Sequence, residues 1–185
     1  VYEKSDGSLA TVFHDGRRWR VATRGAFESP QAKWAAEWLR ACDVGVLTPG
    51  HTYLAEIIYA ANRIVVKYPF EGLVMLGAYA ADGREYERGE LRAVSTALGT
   101  RIVHAHDYTS VAEMPAAPAT FASDREGFVV HFPVSGYRVK LKGAEYLRIH
   151  RLVSRVTPLA LWDVLANGGD LDVIRRDIPE EFWAD

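Results

Sequence analysis

The chain has 185 residues, of which 49% are hydrophobic and 25% charged, with a net charge of −2. These values are those of an ordinary globular protein, and the length suffices for one well-buried domain. The small net charge excludes a general basic field, so any nucleic-acid contact needs a local patch. The single cysteine, Cys42, excludes an internal disulfide and predicts a cytoplasmic location. No apolar run approaches the roughly 18 residues that would span a membrane, so no membrane partner is expected.

Turn residues and alternating segments predict a mainly β first half. Residues 8–13 and 17–23 flank Asp15-Gly16, which indicates a hairpin. Ser29 and Pro30 begin a predicted helix that runs to Cys42. Three strands rich in β-branched and aromatic residues are predicted at 51–59, 63–68 and 72–79.

The second half of the chain changes from strand to helix. A helix closed by Gly99 is predicted over 84–99, and a strand over 100–108. A second hairpin is predicted at 126–132 and 137–143, across Pro133–Gly136. Residues 111–124 are the most linker-like stretch, and helices are predicted at 144–156, 159–165 and 170–177. The predicted fold is α+β, an antiparallel sheet with a small helical tail.

Several charged residues stand where a strand should be half buried. Glu56 lies in an otherwise apolar strand, and Glu126 begins another. Lys140 and Lys142 are two apart, which places them on the same face of a strand. Buried charges are costly unless they are paired or hold a ligand, so these positions are candidate site residues.

Each candidate also has a purely structural interpretation. The two lysines could form the solvated face of an edge strand. Glu56 could pair with an arginine such as Arg63, and Glu126 could be a turn acid before Gly127. Near the amino terminus, Lys4 and Asp6 could belong to a plain turn.

The order of five short motifs favours the functional interpretation. They are KSDGS at 4–8, TRGAF at 23–27, AEIIYAANRIVV at 55–66, EGFVV at 126–130 and VKLKGAEYLR at 139–148. This ordered set resembles the covalent nucleotidyltransferases, and the third and fifth motifs resemble the phage-type, ATP-dependent RNA ligases that repair tRNA. The resemblance runs from about Val1 to Arg151. It implies an antiparallel nucleotidyltransferase (ATP-grasp-like ligase) core at 1–143 and a helical carboxy-terminal segment at 144–185.

The resemblance also implies a reaction. Lys4 would attack the α-phosphate of ATP, the AMP would pass to an RNA 5′-phosphate, and a 3′-hydroxyl would displace it to seal the strand. An amine attacks only without its proton, which nearby cations and desolvation favour. By the same resemblance Asp6 would orient Lys4, while Lys140 and Lys142 would hold the α-phosphate and stabilise its developing charge.

Magnesium is the implied metal, with manganese as a substitute. It prefers oxygen ligands and keeps several waters, so one or two carboxylates and a phosphate are enough to hold it. Glu126 is the first candidate ligand. Glu56 matches the acid that contacts either the ribose or a second metal.

Four further residues match positions that bind the adenosine. Glu3 would select adenine, and Arg24 would contact the ribose or a phosphate. Leu76 and Val129 would sandwich the base, although both could instead be simple core residues.

Two arginine groups are candidate RNA contacts, with a solvated surface as the alternative. Both could contact phosphates. They are Arg148, Arg151 and Arg155 on one predicted helix face, and Arg17, Arg18 and Arg20 around the first hairpin turn.

Two other kinds of function remain open from the sequence. A DNA ligase or a GTP-using capping enzyme shares the lysine motif, and a non-catalytic nucleotide- or RNA-binding module could share the fold. The chain starts three residues before Lys4, so we expect it to lack basic groups that relatives carry ahead of that motif. The sequence leaves the oligomeric state open.

Overall fold

The computed structural model describes residues 1–108, 110, 114 and 125–172, with the side chain of Arg155 excepted. The chain forms two compact units. The first, here called the sheet unit, comprises residues 2–63 and 67–106. The second, the hairpin unit, comprises Val1, residues 64–66 and the chain from Asp107 onward.

A five-stranded sheet organises the sheet unit, in the order β3-β2-β4-β5-β6. Neighbouring strands are antiparallel except β5 and β6, which are parallel. The strands are β2 (Ser8–His14), β3 (Trp19–Thr23), β4 (Thr52–Ile58), β5 (Gly72–Tyr79) and β6 (Arg101–Ile102). A short strand, β1 (Tyr2–Lys4), precedes them and meets the segment after β6 through a bridge between Tyr2 and Ala105.

The core of the sheet unit lies on one face of the sheet. Helices α1 (Pro30–Arg40) and α2 (Arg88–Leu98) contribute Leu39 and Leu91 to it, and β4 contributes Tyr53, Ala55 and Ile57. Because side chains alternate along a strand, Leu54, Glu56 and Ile58 point to the opposite face. That opposite face carries two of the candidate site residues, Glu56 and Leu76.

A β-hairpin and two helices form the described part of the hairpin unit. Phe128 and Val130 are buried in a small cluster with Met114. Tyr146 and Ile149 are buried on the helix that follows the hairpin. The elements are β7 (Gly127–His131), β8 (Arg138–Lys142), α3 (Ala144–Arg155) and α4 (Pro158–Ala166).

Most of the predicted elements are confirmed, including both hairpins and the α+β class. Ser29 caps α1 by accepting the N–H of Ala32 at 3.1 Å, and Thr157 caps α4 in the same way. Gly99 closes α2 with a left-handed backbone (φ 74°), as its position predicted.

Three predicted elements differ from the observed ones. Residues 63–68 form no strand, because a 3-10 turn at Ala60–Asn62 leads into irregular chain. The strand expected over 100–108 is shorter than predicted and consists of β6 alone. Because β6 pairs in parallel with β5, the sheet is mixed rather than wholly antiparallel. The second helix begins at Arg88 rather than at residue 84. Glu87 and Glu90 form a capping box at this start. The linker at 111–124 and the helix at 170–177 fall mostly outside the described residues.

Within the described residues, no helix is both long and apolar enough to cross a membrane.

The capping box of α2 gives a prediction for acid stability. The Arg84 guanidinium and the Glu87 backbone N–H lower the pKa of Glu90 to about 2. A carboxyl whose pKa is depressed by folding contributes stability above its unfolded pKa, near 4.5, and loses it as the pH falls toward 2. We expect Glu90→Gln to lower the thermal midpoint at pH 6, and the gap from the parent to narrow below about pH 4.5 and to close near pH 2. Calorimetry across that range checks this, and a gap that does not change with pH would contradict it.

Candidate active site

The candidate nucleophile ends strand β1. The N–H of Glu3 donates to the carbonyl of His104 at 2.9 Å, so β1 is tied to the segment that follows β6. Lys4 is the last residue of the strand and is partly buried, as is Glu3. The backbone that carries both residues is therefore fixed by pairing rather than left in an open turn.

Two side chains after β4 hold the loop that follows Lys4. The Tyr68 hydroxyl accepts the backbone N–H of Asp6 at 2.7 Å. Asn62 accepts the Ser8 hydroxyl at 3.0 Å and donates to the carbonyl of Ile57 at 2.9 Å. Tyr68 and Asn62 are uncharged, and their hydrogen bonds to this loop join residues more than 50 positions apart in the sequence. Asn62 and Asp6 are both buried. They fix the loop between Lys4 and β2.

Sequence reasoning missed Tyr68 and Asn62. The segment 63–68 was interpreted as a strand, in which a tyrosine is unremarkable. One signal was available: Asn62 is a polar residue in a largely apolar motif, and a polar side chain that is buried needs hydrogen-bond partners.

Gly7 is required by packing against β4. A Cβ at this position would lie 2.4 Å from the carbonyl oxygen of Ile57 and 3.1 Å from Cγ of Glu56. The first distance is a clash with backbone, which cannot move aside cheaply. The glycine of the KSDG motif therefore lets the loop lie directly beside Glu56.

Glu56 and Leu76 lie on the face of the sheet that points away from the helices. Glu56 is 8% exposed and stands opposite Val74 in the register of β4 and β5. Leu54 aligns with Gly77 and Ala55 with Met75, so Leu76 falls at a bulge. Bulges re-aim side chains and are frequent beside active sites. Leu76 packs in a small apolar cluster, whose other members are Tyr2, Ile58, Tyr68, Phe70, Val74 and Val103.

Arg24 occupies the turn after β3. Thr23 and Ala26 pair across this turn, and Arg24 between them is exposed. Its guanidinium is thus available to a ligand, and the turn that carries it is fixed at both ends.

One face of the β7–β8 hairpin gathers a second group of candidates. The register pairs Val129 with Lys140 and Gly127 with Lys142, so Val129 and both lysines project to the same side. The prediction that the two lysines share a face is confirmed. This surface offers two ammonium groups beside one aliphatic side chain.

Glu126 and Lys142 form an ion pair on this hairpin. The ammonium of Lys142 lies 2.9 Å from Oε1 of Glu126 and 5.1 Å from the centre of the Tyr146 ring. The Glu126 side chain is 3% exposed, whereas that of Lys142 is 33% exposed. A buried carboxylate needs a counter-charge, which Lys142 supplies.

Gly127 is also dictated by close packing. Its φ is +147°, and a Cβ there would lie 1.9 Å from the carbonyl oxygen of Leu141. Only glycine is compatible with this contact. The Glu-Gly pair of the fourth motif therefore places Glu126 at the open end of the hairpin, away from its turn, where the Gly143 N–H donates to the Glu126 carbonyl at 2.8 Å.

Of the three arginines predicted on α3 as candidate RNA contacts, one is already held in an ion pair. Arg148 makes two hydrogen bonds to the carboxylate of Glu145, at 2.9 and 2.6 Å. Arg151 is exposed, and the side chain of Arg155 lies outside the described residues.

The carboxylates that the sequence assigned to magnesium are suitable for it. Glu126 and Glu56 are 3% and 8% exposed, so each brings a nearly dehydrated carboxylate. Mg²⁺ takes oxygen ligands and needs only one or two carboxylates when phosphates complete its shell. Each carboxylate, taken within its own unit, therefore has the chemistry that the ion prefers.

The chain matches no protein-family model. Among curated proteins it is similar to a putative bifunctional polynucleotide kinase/RNA ligase of Autographa californica nuclear polyhedrosis virus, with 26% identity over 185 residues. The match covers 90% of this chain and 26% of the viral protein, so the chain spans about a quarter of that relative.

Its fold is similar to that of solved RNA ligases. A mutant Naegleria gruberi RNA ligase with ATP and Mn matches with a TM-score of 0.60 and 18% identity, over 81% of this chain and 50% of that one. A second mutant of the same ligase, with AMP and Mn, gives a TM-score of 0.57 and 17% identity over 81% and 51% of the two chains.

These matches confirm the resemblance to ATP-dependent RNA ligases that the five motifs indicated. The chain has the nucleotidyltransferase fold of those enzymes.

Proposed function

We propose that the chain is the nucleotidyltransferase domain of an ATP-dependent RNA ligase. One observation carries this proposal: a chain with the fold of an RNA ligase contains the three lysines and two glutamates that the resemblance assigns to the chemistry. These are Lys4, Glu56, Glu126, Lys140 and Lys142.

In the first step, Nζ of Lys4 forms a bond to the α-phosphorus of ATP. The bond from that phosphorus to the bridging oxygen breaks, and pyrophosphate leaves. The hydrogen bond from the Asp6 N–H to the Tyr68 hydroxyl fixes the loop that follows Lys4, and we expect this loop to help position the amine. Lys140 and Lys142 provide fixed positive charge for the α-phosphate.

In the later steps, the AMP moves from Lys4 to an RNA 5′-phosphate, and a 3′-hydroxyl then displaces it. Glu126 and Glu56 are the residues that would hold Mg²⁺ or Mn²⁺, which supplies charge that offsets the phosphates. Glu3 and Arg24 are proposed to contact adenine and the ribose or phosphate, and Leu76 and Val129 to contact the faces of the base.

The partners that follow are ATP and RNA ends, as in tRNA repair, and the proposed compartment is the cytoplasm. The test is incubation of the chain with ATP labelled at the α-phosphate and Mg²⁺, followed by sealing assays on RNA and DNA ends. Labelling by GTP rather than ATP would favour a capping enzyme, and sealing of DNA alone a DNA ligase. RNA-end binding with no covalent AMP would favour a non-catalytic module.

Tyr68 provides a prediction about the loop after Lys4. Tyr68→Phe removes the hydroxyl that accepts the Asp6 N–H, and we expect the loss of this hydrogen bond to cost about 1–2 kcal/mol. We expect the rate of lysine–AMP formation to fall by about tenfold at saturating ATP, with little change in the ATP concentration at half-maximal rate.

Tyr79→Phe serves as the control for Tyr68→Phe, because it also removes a tyrosine hydroxyl from the sheet unit. Its hydroxyl donates to Glu85 at 3.4 Å, far along the chain from Lys4. An equal loss of rate in both variants, or a change in half-saturation alone, would contradict the positioning role.

A further inference from the structure

A groove lies between strand β3 and helix α1 of the sheet unit. Its volume is about 340 Å³, and it is open to solvent on one side. The side chains that matter below are Arg18, Arg20, Phe27, Lys33 and Arg40, which all line it. No motif residue assigned above to ATP lines this groove.

The groove is locally basic in a chain whose net charge is −2. Four cationic and two acidic side chains line it, the acids being Glu28 and Glu37. Lys33 lies 3.5 Å from Glu28, and Arg40 pairs with Glu37, but the side chains in both pairs are 64–73% exposed. Exposed pairs of this kind contribute little, so a phosphate can replace the carboxylate as partner. Arg18 adds an exposed residue to the lining. Arg20 lies 3.9 Å from Asp15, and the side chains of this pair are 30% and 31% exposed.

An exposed aromatic ring lies among these cations. Phe27 is 61% exposed, and its ring meets that of Phe13 edge-on, with centroids 6.2 Å apart. Edge-on support holds the ring while leaving a face open to solvent. Phe13 pairs with Arg20 across β2 and β3, so a guanidinium stands next to the aromatic pair.

We propose that this groove binds the single-stranded RNA next to the end that is joined. Phosphates contact Arg18, Arg20, Lys33 and Arg40, and a base stacks on Phe27. Cations that follow a backbone together with an exposed aromatic ring are the usual elements of single-strand binding. A protein partner with acidic side chains would match the charges of the groove, but it would provide no base to stack on the Phe27 ring. The inference rests on the proposed RNA ligase function.

The test is fluorescence anisotropy of a labelled single-stranded RNA of about a dozen nucleotides, titrated with the intact chain. We expect Phe27→Ala to weaken binding roughly tenfold. The double variant Arg18→Glu, Arg40→Glu should weaken it by more than about tenfold. It should also flatten the dependence of log affinity on log salt by about 0.7 per lost phosphate contact.

Two control variants match these changes elsewhere on the surface. Trp162→Ala removes an aromatic side chain that is 66% exposed on α4, and Arg92→Glu reverses an exposed charge on α2. Both should bind RNA like the parent. All altered side chains are at the surface, so thermal unfolding should be unchanged throughout the series.

Unchanged RNA affinity in the groove variants, or an equal loss in the controls, would overturn the proposal. So would competition by a poly-glutamate peptide as strong as that by unlabelled RNA. Lysine–AMP formation is measured on the parent chain in the same preparation. A chain that binds RNA through the groove but takes no AMP would refute the proposed ligase while leaving the groove site intact.

Discussion

Lys4→Ala should abolish covalent labelling of the chain by α-labelled ATP in the presence of Mg²⁺. The side chain is the proposed acceptor of the AMP, so its removal takes away the group to which the label would be attached. Lys4→Arg should also be inactive, because a guanidinium keeps its proton at neutral pH and cannot attack phosphorus. Labelled protein is detected on a denaturing gel, and mass spectrometry of the digested protein should place the AMP on the peptide that contains Lys4.

Lys67→Ala is the matched control for this experiment. Lys67 belongs to the same unit, is exposed and has no assigned role. We expect it to label like the parent. Label that survives in Lys4→Ala would contradict the assignment of the nucleophile, and a parent chain that takes no label would contradict the proposed function.

The sequence predicted those parts of the fold that depend on local signals. Asp15-Gly16, Ser29-Pro30 and Gly99 each determine a turn or a helix end through their own backbone preferences, and these elements formed as expected. The alternation in VKLK likewise predicted that Lys140 and Lys142 share a face, because a strand of any register has this property.

The sequence failed where contacts between distant segments decide the structure. The segment 63–68 has strong strand propensity, yet it forms no strand, and the Tyr68 hydroxyl instead accepts the Asp6 N–H at 2.7 Å. Strand propensity reports how well a residue fits a pleated surface. It contains no information about a hydrogen bond between residues that are 62 positions apart in the sequence. The clash that reserves position 7 for glycine is of the same kind, since it depends on the carbonyl of Ile57.

The two lysines of β8 should separate catalysis from stability. Lys142 supplies the counter-charge of Glu126, which is 3% exposed, whereas Lys140 is exposed. We expect Lys140→Met and Lys142→Met each to slow lysine–AMP formation by roughly 100- to 1,000-fold, because each removes a charge proposed to stabilise the α-phosphate. Only Lys142→Met should also lower the free energy of unfolding, by about 1–2 kcal/mol, because it leaves the Glu126 carboxylate without that partner.

The second half of that prediction has an internal control. Adding Glu126→Gln to Lys142→Met removes the buried carboxylate that has lost its Lys142 partner, so the double variant should regain part of the lost stability in urea unfolding. It should not regain activity, because both the carboxylate proposed for the metal and the cation proposed for the phosphate are then gone. Equal stability of the two single lysine variants would show that the ion pair contributes nothing to folding. Full activity in either of them would remove that lysine from the proposed phosphate site.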